Sequence, residues 1–340
     1  MLDQIKNQSD RATTLVASGQ VVTKVGQAHS LYQHSISMPV TCKGVGLHSG
    51  KATSMRLLPA PVGHGIVFVR TDINGTAENR RIPATWNNVN FATLCSQIAN
   101  PAGHSVSTIE HLMAALAAMN IDNILIEIDG PEVPIMDGSS APFVFLLECA
   151  GIAEQAAPRQ YIEVLKPITV SESNGHGPKH AILSPAPQFS MDCIIEFTDK
   201  TIGRQEYQFT LTQGGFKNEI SRARTFGFYH EVEQMRAAGF GLGGSLENSV
   251  VVGPEGVMNE GGLRFKNEFV RHKVLDLIGD LYLAGNPLLA HVEVYRSGHA
   301  MNNQLLRALF ADTSAWRLST PALTQNAAND PMAEPAKLRA

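Results

Sequence analysis

Ser107-Thr-Ile-Glu-His-Leu-Met-Ala-Ala-Leu-Ala-Ala-Met119, followed by Ile124-Leu-Ile-Glu-Ile128, is the stretch that decides the fold. Apolar Ile109, Leu112, Leu116 and Met119 recur at three- and four-residue spacing, which predicts a helix with one buried face, opened by Thr108 as its cap. The helix ends near Asn120, and the β-branched run after it reads as a strand. The same order returns nearly half a chain later. Glu268–Leu283 has the helical period, Gly285-Asn-Pro287 stops it, and Leu288–Tyr295 reads as a strand. Each helix carries a histidine, His111 in the first and His272 in the second. A helix–turn–strand unit repeated at half the chain length predicts a duplicated α+β domain, with a boundary near Gly151–Gln160.

Around this pair of units the chain is ordinary in composition. Its 340 residues are 44% hydrophobic and 17% charged, enough for a real core and too little charge for a disordered protein. A net charge of −4 offers no basic field for a nucleic-acid backbone. The four cysteines, Cys42, Cys95, Cys149 and Cys193, form no C-x-x-C pair, which suits a reducing cytosol and argues against a cysteine-built zinc module. No apolar run reaches the roughly 18–20 residues a membrane span needs, and the polar N-terminus lacks the apolar core of a secretory signal. The expectation is a soluble cytoplasmic protein with no nucleic-acid partner, no transmembrane segment and no obligate protein partner. Residues 1–33 read as a mobile extension and residues 318–340 as a disordered tail. Ser35–Thr41 looks like a strand, and Gly44–Gly50 like a glycine-punctuated loop.

The strongest chemical signal is His272-Lys-Val-Leu-Asp276. On a helix, this spacing puts imidazole and carboxylate on one face, where they can chelate one zinc ion at about 2.0–2.2 Å. Asp280 lies one turn further along that face. A plain His–Asp helix pair is the alternative, but Val270, Val274, Leu275 and Ile278 frame the row, and buried charge is costly unless paired or metal-bound. His111 could supply a third ligand and leave one position open, the arrangement of a catalytic zinc. Glu110 beside it could act as general base, or could simply favour the first helical turn. His299, in Ser297-Gly-His-Ala-Met-Asn-Asn303, reads as a loop histidine, either a helix-capping residue or a proton donor near neutrality. Gly239-Phe-Gly-Leu-Gly-Gly244 matches a dinucleotide fingerprint formally, yet it follows a helix rather than a strand and reads as a flexible loop.

Six motifs in order carry a resemblance that covers about residues 33–316. They are Gly44-Val-Gly-Leu-His-Ser-Gly50, Thr108-Ile-Glu-His-Leu112, Pro134-Ile-Met-Asp-Gly-Ser-Ser-Ala-Pro142, Ser221-Arg-Ala-Arg-Thr-Phe-Gly227, Phe269-Val-Arg-His-Lys273 and Ser297–Asn303. Through them the chain resembles the UDP-3-O-acyl-N-acetylglucosamine deacetylases, the zinc amidases of early lipid A synthesis in Gram-negative bacteria. The resemblance implies two similar α+β domains, residues 34–155 and 156–317, packed helix layer to helix layer with the site between them. It implies zinc held by His111, His272 and Asp276, with iron(II) acceptable to the same ligands. Glu110 would be the general base and His299 the general acid, supported by Asp280, while Thr225 would donate to the oxyanion. Lys273, Phe226 and His48 would contact a UDP-sugar lipid substrate, and an insert near residues 226–256 would form an apolar passage for its acyl chain. An amidase acting on another acylated amino sugar and a non-catalytic lipid- or sugar-nucleotide-binding protein are the rival readings.

Overall fold

The computed structural model describes residues 29–174 and 177–321. Most of the expected N-terminal extension and C-terminal tail therefore lies outside the described residues. Helical segments run, in chain order, α1 (Ala77–Arg80), α2 (Glu110–Ala118), α3 (Ala141–Ala150), α4 (Gln213–Gly215), α5 (Tyr229–Ala237), α6 (Glu268–Tyr282) and α7 (His299–Ala311). Among the described residues, no helix is long and apolar enough to cross a membrane.

Both deciding units are present. In the first half, Ile124–Ile128 pairs antiparallel with Ala52–Pro59 and parallel with Ile66–Arg70, Ile66 facing Ile124. Val40–Val45 and Arg81–Pro83 complete that sheet at its two edges. In the second half, Leu288–Tyr295 pairs antiparallel with Gly177–Pro185 and parallel with Ser190–Glu196, Ser190 facing His291. Ile168–Asn174 and Arg204–Thr210 flank these strands. The strand that follows the long helix thus sits in the middle of each sheet, with the same kinds of neighbour on either side. Tyr161–Val164 and Trp316–Ser319 extend the second sheet beside Leu288.

α2 is buried along its whole length, and its Ala-rich sequence lets α6 pack directly on it. α6 is buried almost all round, so His272, Asp276 and Asp280 lie in the interior along one side of the helix while Val274, Leu275 and Ile278 are buried on its other side. One contiguous core joins Phe68, Leu112 and Phe143 to Phe269, Leu275 and Val292 across the two halves.

Several boundaries differ from expectation, each for a local reason. The strand expected over Ser35–Thr41 is two strands, Tyr32–Ile36 and Val40–Val45, separated at Pro39, whose nitrogen has no proton to give a ladder. The expected boundary near Gly151–Gln160 falls on a strand, Ile152–Pro158, paired antiparallel with Tyr32–Ile36. Thr108 does not cap α2. It sits at φ +56°, and its hydroxyl turns away to Glu132 Oε1 at 2.8 Å, leaving Ile109 at the cap position without a side-chain bond. His299 is not in a loop but is the first residue of α7. Residues 239–244 form turns docked on the Gly46–Gly50 loop, with Gly243 N–H donating to the Leu47 carbonyl at 3.0 Å, and open no helix.

Candidate active site

α2 and α6 meet at a glycine. A Cβ placed on Gly279 would lie 2.0 Å from the Glu110 carbonyl oxygen, so the two backbones approach as closely as they do only because no side chain stands there. That approach brings His111, on the first turn of α2, to the His272–Asp276 face of α6. Nε2 of His272 is 3.3 Å and Nε2 of His111 is 3.6 Å from Asp276 Oδ1, and the two rings stand edge to face with centroids 4.9 Å apart. All three residues are buried, and one ligand atom from each lies within 4.8 Å of the others.

The protonation of this cluster is what a cation requires. His272 Nδ1 donates to the Ala223 carbonyl at 3.1 Å, which leaves Nε2 as the bare nitrogen facing Asp276. Burial lowers the pKa of both imidazoles, that of His111 to about 3, with the neighbouring His272 adding to it, so both are neutral. Burial acts to raise the Asp276 pKa, but the basic side chains around it, the Lys273 ammonium among them, overcome it and hold the carboxyl well below its usual range. Lys273 Nζ binds Asp276 Oδ2 at 2.8 Å, whereas Oδ1 is buried with no hydrogen-bond partner among the described residues. Two imidazole lone pairs and an orphaned carboxylate oxygen facing one another are an acceptor set without a donor. A divalent cation satisfies it, and the mixture of nitrogen and oxygen donors fits zinc.

Beside it lies a second cluster. Glu110 Oε1 is 3.9 Å from His299 Nε2, and His299 Nδ1 bonds Asp280 Oδ2 at 2.8 Å. Asp280 also accepts from Asn302 at 2.8 Å and from the Ser96 hydroxyl at 2.5 Å. Burial pushes the Glu110 carboxyl up to about 8, against the pull of His299. For His299, burial works to lower the pKa, but the Asp280 and Glu110 carboxylates prevail and raise it to about 9.

Of the remaining expected residues, His48, Thr225 and Phe226 border a cavity of about 400 Å³ also lined by Val232, Met235 and Leu246, much of it from the segment expected to form an insert. Phe226 stands edge-on to His272 at 6.3 Å and to Phe269 at 5.0 Å, with Lys273 Nζ 5.6 Å from its ring centre. Thr225 is held by its N–H to the Gly138 carbonyl at 2.8 Å. His48 has both ring nitrogens buried without a partner among the described residues, and burial lowers its pKa. Glu132 ties this corner together, accepting from the backbone N–H groups of His48 and Ser49 at 2.8 Å and from Thr108. Sequence reasoning did not single out Ser96, Glu132, Gly279 or Asn302. An isolated glycine inside a helical pattern was a usable signal for Gly279; Ser96 and Glu132 offered none.

Comparison with known proteins agrees with this geometry. A family model described as LpxC, UDP-3-O-acyl N-acetylglycosamine deacetylase, matches residues 33–311. The chain belongs to this family. Among similar proteins, the UDP-3-O-acyl-N-acetylglucosamine deacetylases of Shewanella sp. (strain ANA-3) and Shewanella sp. (strain MR-4) are each 47% identical over 290 residues, 85% of this chain and 92% of theirs. The enzyme of Shewanella baltica (strain OS185) is 46% identical over the same span. Like the family, the chain is a zinc-dependent deacetylase of lipid A biosynthesis, and the buried His111, His272 and Asp276 are the group able to hold its metal.

Proposed function

We propose that the chain hydrolyses the acetamide of UDP-3-O-[(3R)-3-hydroxyacyl]-N-acetylglucosamine, releasing acetate and the free amine in the committed step of lipid A synthesis, in the cytoplasm. The observation that carries this reading is the buried, protonless acceptor set of His111, His272 and Asp276 standing next to a carboxylate–imidazole pair. The repeated strand order supports two domains of common topology, residues 34–155 and 156–317.

His111, His272 and Asp276 would hold the zinc, which when bound supplies positive charge to polarise the acetamide carbonyl and to lower the pKa of water to about 7. Glu110 takes the proton of the attacking water; its buried carboxylate is a stronger base than one in bulk solvent. Thr225 donates its hydroxyl to the oxygen on which negative charge develops. His299, kept protonated by Asp280, then gives its proton to the departing sugar nitrogen, without which the amine is a poor leaving group. Lys273 contacts the sugar or phosphate oxygens. His48 and Phe226 stand at the mouth of the cavity, whose mostly apolar lining suits the 3-O-acyl chain.

The direct test is acetate release from UDP-3-O-acyl-N-acetylglucosamine by the purified protein, its loss with a strong chelator and its return with zinc. Binding of the substrate with no release under any metal condition would leave a binding protein instead. Turnover of another acylated amino sugar alone would move the activity to a different substrate.

A further inference from the structure

Ser96 lies just before the strand Gln97–Ala99 and is 2% exposed. All three of its polar groups point at the site. Its N–H donates to Glu110 Oε2 at 3.0 Å, its carbonyl accepts from Ile109 N–H at the start of α2 at 3.4 Å, and its hydroxyl donates to Asp280 Oδ1 at 2.5 Å. His299 and Asn302 both bind the other oxygen of Asp280, so Ser96 is the one partner of Oδ1 among the described residues.

We propose that Ser96 is a positioning residue that couples the proton acceptor Glu110 to the proton donor His299, acting through Asp280. This rests on the acid and base roles given above. A carboxylate anchored at one oxygen can pivot about its last bond, and one anchored at both cannot. The Ser96 hydroxyl therefore fixes the Asp280 plane, which fixes the His299 ring and aims Nε2 at Glu110 Oε1. The same residue's backbone holds Glu110, so acid and base keep their 3.9 Å relation although one belongs to α2 and the other to α7. A methyl group at this position would leave Oδ1 buried and unpaired. It would also concentrate negative charge on Asp280, which holds the His299 proton more tightly. The charged or titratable groups facing His299 are Asp280, Glu110, Asp276, His48, His111 and His272.

The experiment compares zinc-loaded wild type, Ser96→Ala, Ser96→Thr, Glu110→Ala and His299→Ala by kcat and KM for acetate release across about pH 5 to 10. The His299 ring is followed by nitrogen-15 NMR titration. Ser96→Ala should keep its zinc and a KM within about two-fold, lose about 10–100-fold in kcat, and show the His299 titration and the alkaline limb moved up by about half a pH unit or more. Ser96→Thr, which keeps the hydroxyl, should recover to within about three-fold of wild type. A Ser96→Ala enzyme with wild-type kcat and pH profile, beside crippled Glu110→Ala and His299→Ala, overturns the proposal and leaves the acid and base roles standing. Loss of zinc or of the folded spectrum in Ser96→Ala also overturns it, since the role would then be structural. Full activity in Glu110→Ala or His299→Ala overturns the underlying roles instead.

Discussion

Replacing Gly279 with alanine tests whether the metal group depends on how closely α2 and α6 cross. In an unobstructed helix interior the change would stabilise the protein by about 1 kcal/mol, because glycine is a poor helix former. Here the new Cβ would sit 2.0 Å from the Glu110 carbonyl oxygen, 2.9 Å from its carbon and 3.1 Å from Ala114 N, where contacts under 3.0 Å essentially never occur. All of these atoms are backbone, so no side chain can swing aside, and the helices must part by about 1 Å at the crossing. Overpacking of this kind costs about 1–3 kcal/mol, enough to reverse the propensity gain. His111 rides on α2, while His272 and Asp276 ride on α6, so the separation is transmitted to the ligand set, where distances matter to within about 0.2 Å. The expected result is a lower Tm and zinc affinity weakened by about ten-fold or more, read by competition with a chromophoric chelator. Gly214→Ala, where a Cβ meets nothing within 4 Å, serves as the neutral control. A Gly279→Ala protein with unchanged zinc affinity and an unchanged or raised Tm would refute the crossing argument.

Two further outcomes follow from the second cluster. Glu110→Ala should retain zinc, since Glu110 is not one of the three converging ligands, and should lose about 10²–10⁴-fold in kcat, measured as acetate release; full activity in the zinc-loaded variant would remove Glu110 from the mechanism. His299 is raised to about 9 against burial by Asp280 and Glu110, so its proton is present at neutral pH and is lost as pH rises through about 9, giving an alkaline limb there. Asp280→Asn removes the larger of the two carboxylate effects, so that limb should move to lower pH by on the order of one unit; a limb that stays in place would assign it to another group.

The fold was legible where one physical pattern dominated. α2 and α6 show helical periodicity, and Ile124–Ile128 and Leu288–Tyr295 are strands whose burial alternates along the chain, as their residue patterns predict. The failures sit where a distant residue decides. Thr108 has the chemistry of a cap, but Glu132 claims its hydroxyl, and the backbone adopts a left-handed conformation to reach it. Following a strand and Ser297-Gly298, His299 has the sequence setting of a loop residue, yet the helix begins at once behind that glycine. At the site, His272 and Asp276 were legible from their spacing on one helix. The arrival of His111 depends on the helix crossing at Gly279, which no local pattern specifies. Ser96 and Glu132 bind groups far away in the chain, so only the folded structure reveals them.

The central claim is that two imidazoles and one carboxylate from two helices hold a single catalytic zinc. Metal content measured together with acetate release, in wild type and in His111→Ala, tests it most directly. The account predicts about one zinc per wild-type chain, and in His111→Ala a parallel loss of tightly held metal and of activity. Wild-type zinc content and wild-type turnover in His111→Ala would contradict it.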